Sequence, residues 1–428
     1  MACNSYAYPG AMGAGARVAA LLAILGAGCG AGSSSTSAER VDSGEGADAG
    51  GAVDDAGGGG LDATHTPPAS DATEEAGDAG GGLEGGEAGE APATVPAPLV
   101  VPATGGSGAH LVTTASTDRL KLHGVVVWGI EDYVTTTFAV AEHANADAVA
   151  ATIASWGGNV IRLRVLADEY INLKYMGTKT NYLQWIKDWV AAAEAHGLYV
   201  QLCWWDSLDS QNGKNDANWA TQYSYAFSMM TDVHEALKLP GGADDPSVFY
   251  EPFNEPNNVS WAQWLPAMKA TVAEFRTTAG YQGMLIIDTT TWSHDYSDTT
   301  MGELETYDAT LTKSGKHNLA FARHDYCNDY TNDVFSGTTW IGATGGSETA
   351  HVMIETEFGN YDNPYESASW SAAATAYFKT DLFDRSNVGG AEAFLFGNWF
   401  DDNAMSSDAV GAMPTTWGND VKNWLGAQ

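Results

Sequence analysis

Two glutamates stand where strand-like apolar runs end. Glu255 closes Tyr250-Glu251-Pro252-Phe253-Asn254-Glu255-Pro256, and Glu357 closes Ile354-Glu355-Thr356-Glu357-Phe358-Gly359. Two carboxyl groups facing each other about 5 Å apart, one protonated and one ionised, supply the acid/base and the nucleophile of a double displacement at an acetal carbon. Asn-Glu-Pro alone is a moderate signal, since a loop Glu before a helix-starting Pro reads the same way. At the second site Glu355 competes with Glu357. Strict strand alternation puts both on one side, but Glu357 is nearer the strand end and the Phe358-Gly359 turn follows it.

The elements that must hold these groups alternate. Strand candidates are Leu122–Trp128, Asn159–Val165, Leu198–Trp204, Val248–Phe253, Met284–Asp288, Leu319–His324, Val352–Thr356 and Ala393–Asn398. Helix candidates between them include Asp147–Trp156, Tyr182–His196, Trp219–Leu237, Trp261–Thr278 and Ser369–Phe383. In Tyr182–His196 the apolar residues recur at three- and four-residue steps and Gly197 stops the helix. Eight such units give the accounting of an α/β (β/α)8 TIM barrel, with apolar strands buried on both faces. A doubly wound open sheet fits less well, because no Gly-rich phosphate loop follows any strand.

The spacing of 102 residues between Glu255 and Glu357 is close to three βα units. They therefore belong to the fourth and seventh strands, opposed across the barrel mouth. Chemistry in such barrels gathers at the C-terminal strand ends. There the sequence offers Arg162 and Arg164, Trp205 and Asp206, Asn254 and Glu255, Trp292, His324 and Tyr326, Glu357, and Asn398 with Trp399. An Arg inside an apolar strand needs an anionic partner, which marks Arg162, or Arg164 if the register moves by two. Of Trp204 and Trp205, alternation sends one against the helices and the other toward the mouth; Trp205 is read as cleft-facing. Trp128 and Glu131 are read either as lining the site or as packing.

Composition divides the chain. Residues 30–106 hold no Trp, Tyr or Phe, too little apolar surface to offset ordering entropy, and are expected to be a disordered Gly/Ala-rich acidic linker. Residues 107–428 form the expected catalytic domain. Of the formal charge of −35, fourteen acidic and one basic side chain fall between Ala31 and Ala103, leaving about −22 elsewhere. That balance speaks against nucleic acid and anionic membrane surfaces as partners. Residues 1–29 read as a signal segment: Arg17, the apolar run Val18–Leu25, then small residues before Cys29. Leu25-Gly26-Ala27-Gly28-Cys29 resembles a lipoprotein processing site, which implies export with lipid at Cys29; plain secretion is the alternative. Cys203 and Cys327 are expected as free buried thiols on non-neighbouring strands. No Cys or His spacing suits zinc, and Asp325, Asp329, Asp333, Asp401 and Asp402 fit no calcium loop. No cofactor or metal is expected.

Strand by strand, the second part resembles glycoside hydrolase family 5, the cellulase-type retaining glycosidases. The segments that carry the likeness are Gly158-Asn159-Val160-Ile161-Arg162, Asn254-Glu255-Pro256, Thr291-Trp292-Ser293, His324-Asp325-Tyr326, Glu357-Phe358-Gly359 and Phe396-Gly397-Asn398-Trp399. The resemblance implies that Arg162 contacts the nucleophile Glu357, Asn254 holds the sugar 2-hydroxyl, and Glu255 is the acid/base. It further implies that His324 supports the acid/base, Tyr326 hydrogen-bonds the nucleophile, Trp292 lines the cleft and Trp399 is a stacking platform. Trp205 departs from the family, which usually has His there, and this leaves the substrate open. The expectation is an exported, monomeric endo-β-glycosidase acting on a β-linked polysaccharide, foremost β-1,4-glucan. Alternatives are mannan, xyloglucan or a glycolipid as substrate, or a non-catalytic carbohydrate-binding surface lipoprotein on the same fold.

Overall fold

The computed structural model describes residues 95–104, 108–127, 145–165, 178–205, 229–257, 259–326, 350–359, 387–396, 405, 411 and 414–428. The eight expected strands are all present: β3 (Leu122–Val127), β4 (Val160–Val165), β5 (Tyr199–Trp204), β6 (Val248–Glu251), β7 (Leu285–Asp288), β8 (Leu319–Tyr326), β9 (Met353–Gly359) and β10 (Val388–Phe396). They pair in parallel and close, β10 against β3, into a TIM barrel. Glu255 follows the fourth barrel strand and Glu357 lies in the seventh.

Ahead of the barrel, β1 (Pro98–Val101) and β2 (His110–Thr113) form an antiparallel pair. This corrects the expected linker, which ran to residue 106: Pro98–Val101 lies inside that stretch and is paired. The short apolar run Leu99-Val100-Val101 is enough to pack. Val100, Ala109 and Leu111 join the lower barrel interior, with Leu122, Val160 and Phe249. The Tyr199 hydroxyl donates to the Pro96 carbonyl at 2.7 Å, and the Val100 N–H to Asn318 Oδ1 at 2.9 Å.

Around the barrel run α1 (Ala146–Ser155), α2 (Lys179–Ala195), α3 (Trp261–Ala273), α4 (Asp298–Leu311) and α5 (Thr416–Leu425). Thr178 caps α2 by accepting from the Asn181 N–H, and left-handed Gly197 (φ +72°) ends the turn that follows it, as the sequence requires. Its buried stripe is Tyr182, Trp185, Ile186, Trp189, Val190 and Ala193, set against the barrel's outer face. The Ser260–Gln263 capping box starts α3, which runs into a π-helical turn over Glu274–Ala279. Of Trp219–Leu237 the described part, residues 229–237, is helical; Ser369–Phe383 lies outside the described residues.

The last strand begins five residues before the expected Ala393. Gly389 and Gly390 masked it, since glycine weakens a strand reading. At Gly390 a side chain would collide with the Leu122 backbone, so here glycine permits the closing of the barrel.

His351, just before β9, fastens α4. Its Nε2 lies 2.9 Å from Asp298 Oδ1 and its Nδ1 2.9 Å from Glu305 Oε1. Burial opposes its charge, but Glu305 and Asp298 prevail and raise its pKa above the ordinary 6.5. A raised folded value stabilises below the unfolded one and is lost as pH climbs through the folded one. His351→Gln is therefore expected to cost about 1 kcal/mol at pH 6, in urea unfolding, with the gap narrowing toward pH 9. His317, 3.8 Å from Glu305, is held down by burial and in part by the His351 charge, so in the variant it takes over some of the Glu305 interaction and narrows the gap. A gap independent of pH would show that His351 is not charged in the fold.

Candidate active site

Strand alternation divides the barrel interior into an apolar lower part and an ionisable upper part. On β4 Val160 belongs to the lower cluster, and two residues on, Arg162 is fully buried. Its guanidinium is the centre of the site. Nε and Nη2 donate to Glu251 Oε2 and Oε1 at 2.6 and 2.8 Å. Nη1 donates to Glu357 Oε1 at 2.5 Å, and Nη2 also to Asn254 Oδ1 at 2.6 Å and Cys203 Sγ at 3.0 Å. Burial pushes Glu251 up, but the charge and hydrogen bonds of Arg162 outweigh it and hold the carboxyl at about 2. Glu251, on β6, was missed from sequence. Its signal was available: a Glu within an apolar strand, four residues before Glu255, carries the same demand for a partner that marked Arg162.

A β-bulge separates Glu355 from Glu357. Arg323 of β8 pairs with Glu355, but the next residue, His324, pairs with Glu357. Thr356 is the extra residue, so period two breaks there and the two glutamates face opposite sides. Ile354 and Glu357 face inward, while Glu355 turns outward with Arg323. The expectation that both share a side is thus corrected. Arg162, and not Arg164, is the partner of Glu357.

Glu255 stands at a left-handed backbone position (φ 48°), a costly one for a non-glycine residue. Its N–H donates to Asp288 Oδ1 at 3.0 Å. Asp288 ends β7, and burial, reinforced by the charge of Glu251, pushes its carboxyl well up. Three more left-handed residues, Thr291, Trp292 and Ser293, follow β7. The Ser293 hydroxyl donates to Asp288 Oδ1 at 2.7 Å, and the Trp292 N–H donates to the Pro256 carbonyl at 3.0 Å. Trp264 of α3 donates its indole N–H to the Asp288 carbonyl at 2.8 Å. The loops after β6 and β7 are thereby locked to one another.

His324 joins the two glutamates. Nδ1 is 2.8 Å from Glu255 Oε1 and 3.5 Å from Glu357 Oε2, while Nε2 is 2.9 Å from the Thr356 hydroxyl. Carboxylate oxygens of Glu255 and Glu357 lie within 4.8 Å of each other. With the ring nitrogen they form a three-atom set that a metal could occupy, as do Glu251, Asp288 and His324. In the second set the Glu251 oxygens are already taken by Arg162.

Trp204 packs outward on Tyr250 and Phe275, as alternation predicts. The half-buried Trp205 ring has the Arg164 guanidinium 3.7 Å from its centroid and stacks on Phe394 at 6.3 Å. One face is therefore already covered. Trp292 is 44% exposed. Cys203 is buried and free. The side chains of Asp325 and Tyr326, and all of Trp128, Glu131, Asp206, Cys327, Asp329, Asp333, Asn398, Trp399, Asp401 and Asp402, lie outside the described residues, as does Cys29.

Two acids thus meet at the C-terminal mouth of an eight-stranded parallel barrel. The family model for cellulase, glycosyl hydrolase family 5, matches residues 120–381, so the chain belongs to glycosyl hydrolase family 5 and is a glycoside hydrolase. Among solved structures it is similar to the cellulase Cel5C_n, at 19% identity over 79% of this chain and 94% of that one, with a TM-score of 0.56. It is also similar to the catalytic domain of Thermobifida fusca endoglucanase Cel5A (19%, 76% and 97%, TM-score 0.52). A third is XacCel5A in complex with cellopentaose (19%, 71% and 99%, TM-score 0.53). No curated protein sequence matches the chain.

Replacing Arg162 by Met would leave Glu251 and Glu357 buried without a counter-charge, at an expected cost of about 3–5 kcal/mol near neutral pH. A depressed carboxyl stabilises above its unfolded pKa, and that contribution is lost as pH falls through the folded value, here about 2. In urea unfolding the gap between wild type and Arg162→Met should therefore shrink from pH 5 downward. An equal gap at pH 7 and pH 3 would mean that Arg162 does not hold Glu251 down.

Proposed function

We propose that the chain is a retaining endo-β-glycosidase cutting β-1,4-glucan by double displacement, with Glu255 as acid/base and Glu357 as nucleophile. The carrying observation is that an oxygen of one carboxylate lies within 4.8 Å of an oxygen of the other, which suits the close pair of a retaining enzyme better than the wider gap that an inverting one needs for its water. A Glu357 oxygen attacks the anomeric carbon while Glu255 gives its proton to the departing glycosidic oxygen. Glu255, now ionised, takes a proton from the water that breaks the glycosyl ester and releases Glu357. Arg162 keeps Glu357 oriented, and His324 holds Glu255 within reach of the bond. Asn254 Oδ1 is bound to Arg162, whereas its Nδ2 has no acceptor among the described residues, leaving a donor for the sugar 2-hydroxyl. Trp292, tied through Pro256 to the loop of the acid, suits the aglycone side as a stacking surface. Tyr326 and Trp399 keep the roles that the family resemblance implies.

Cellopentaose, bound in the structure of XacCel5A, supports a β-1,4-linked glucose chain as ligand. A second reading keeps the reaction and changes the glycan to mannan or xyloglucan. It is favoured by Trp205, whose indole has one N–H donor and no acceptor where the imidazole of a His has both. A panel of the four glycans, xylan included, with product sizing separates the readings. The proposal also includes export as a monomer with lipid at Cys29, resting on Arg17, the Val18–Leu25 run and the small residues before Cys29. Palmitate labelling that survives Cys29→Ala would rule the anchor out.

Glu255→Gln and Glu357→Gln should each lower kcat/KM on a soluble glucan by about 10²–10⁴-fold while circular dichroism stays native. Proton NMR of the first-formed product should show the β anomer, and an α anomer would sink the retaining mechanism. Trp292→Ala should raise KM for oligosaccharides that extend past the cleaved bond roughly tenfold, with little change for those that do not.

A further inference from the structure

The alternation that aims Arg162 and Glu251 inward also brings in a third acid. Glu392 of β10 pairs in register with Gly124 of β3, two residues beyond Gly390, which packs on Leu122. It is fully buried, and neither of its carboxyl oxygens has a hydrogen-bond partner among the described residues. The charges that act on it are Arg162 from β4, Glu251 from β6 and Glu357 from β9, while its neighbour on β3, Gly124, brings none. No step of the reaction above uses it, and an apolar side chain of similar volume would be cheaper to bury.

Charge accounting shows what such a group must do. The Arg162 guanidinium already faces two carboxylates, Glu251 and Glu357. A third anion beside them would exceed what one cation can balance in a medium of low dielectric. Burial pushes Glu392 well above the ordinary carboxylate range; Arg162 pulls it down, and Glu251 and Glu357 push it further up. Complete burial and the lack of a hydrogen-bond partner among the described residues both favour its neutral form.

We propose that Glu392 is a positioning residue for Glu357: protonated, it leaves Arg162 to Glu251 and Glu357, and ionised, it draws the guanidinium off Glu357 and disables the site. The only change is loss of the Glu392 proton to solvent, and no bond to substrate is involved. The inference rests on the reading of Glu357 as nucleophile. Its consequence is that the alkaline loss of activity involves two groups, Glu255, which must be protonated to donate, and Glu392.

The test has two arms on the full chain. In the first, the alkaline limb of kcat/KM on soluble glucan is compared between wild type and Glu392→Gln. Where both groups ionise, the wild type should fall by about 100-fold per pH unit and the variant, with one group left, by about tenfold. Superimposed limbs overturn the proposal. In the second, difference infrared spectroscopy at neutral pH should show a protonated-carboxyl band that is lost in Glu392→Gln. Its absence from the wild type overturns the proposal whatever the activity. Because coupling is reciprocal, that band should titrate at lower pH in Glu357→Gln, where one neighbouring negative charge is gone. An unchanged titration also overturns it. If no glycan is turned over, the functional reading fails, and the infrared arm still decides whether Glu392 is neutral and coupled to Glu357.

Discussion

One buried cation holds the upper barrel together. Arg162 is shared between a bidentate partner, Glu251, and the carboxylate of Glu357, and it has no exposure to water. The desolvation of three such groups is large, and only their mutual geometry offsets it. The arrangement therefore specifies more than it stabilises. It fixes β4, β6 and β9 at one height and leaves Glu357 one oriented oxygen. Beside it, burial, with the charge of Glu251, pushes the carboxyls of Asp288 and Glu392 well up, and Arg162 only partly opposes this.

Strain gathers where that interior meets the mouth. Glu255 and the run Thr291–Ser293 occupy left-handed backbone positions without being glycine. Each costs of order 1–3 kcal/mol and persists because hydrogen bonds over-determine it. Asp288 accepts from the Glu255 N–H and the Ser293 hydroxyl, and its carbonyl accepts from Trp264. A single aspartate thus organises both loops. Glu255 is held through its backbone N–H by Asp288, and its carboxylate lies 2.8 Å from His324 Nδ1. Such a departure from local preference is expected at a functional site.

The barrel was legible because eight apolar runs and capped, periodic helices repeat at the spacing of βα units, and each signal is local. The acids at the strand ends were legible because polar residues there break the apolar pattern. What stayed hidden depends on pairing between strands. The bulge at Thr356 cannot be read from β9 alone, since it exists only relative to β8, and so Glu355 and Glu357 stayed in competition. Glycines concealed the start of β10 because their use, close approach to Leu122, belongs to a neighbouring strand. Glu251 and Glu392 were overlooked inside apolar runs whose inward faces are defined only once the barrel closes. The strand Pro98–Val101 was lost in a stretch whose composition is otherwise that of a linker.

Trp205 connects this interior to the question of substrate. It follows β5, yet its ring lies on Arg164 of β4 and stacks with Phe394 of β10, so it spans the mouth over three strands. A cation held over an aromatic face is worth about 0.5–2 kcal/mol, enough to fix the ring in place. Arg164 and Phe394 leave only part of the ring uncovered. An indole here presents one N–H donor and no acceptor, on a ring braced by Arg164 and Phe394. The same stack joins Trp205 to β4, the strand whose Arg162 holds Glu357.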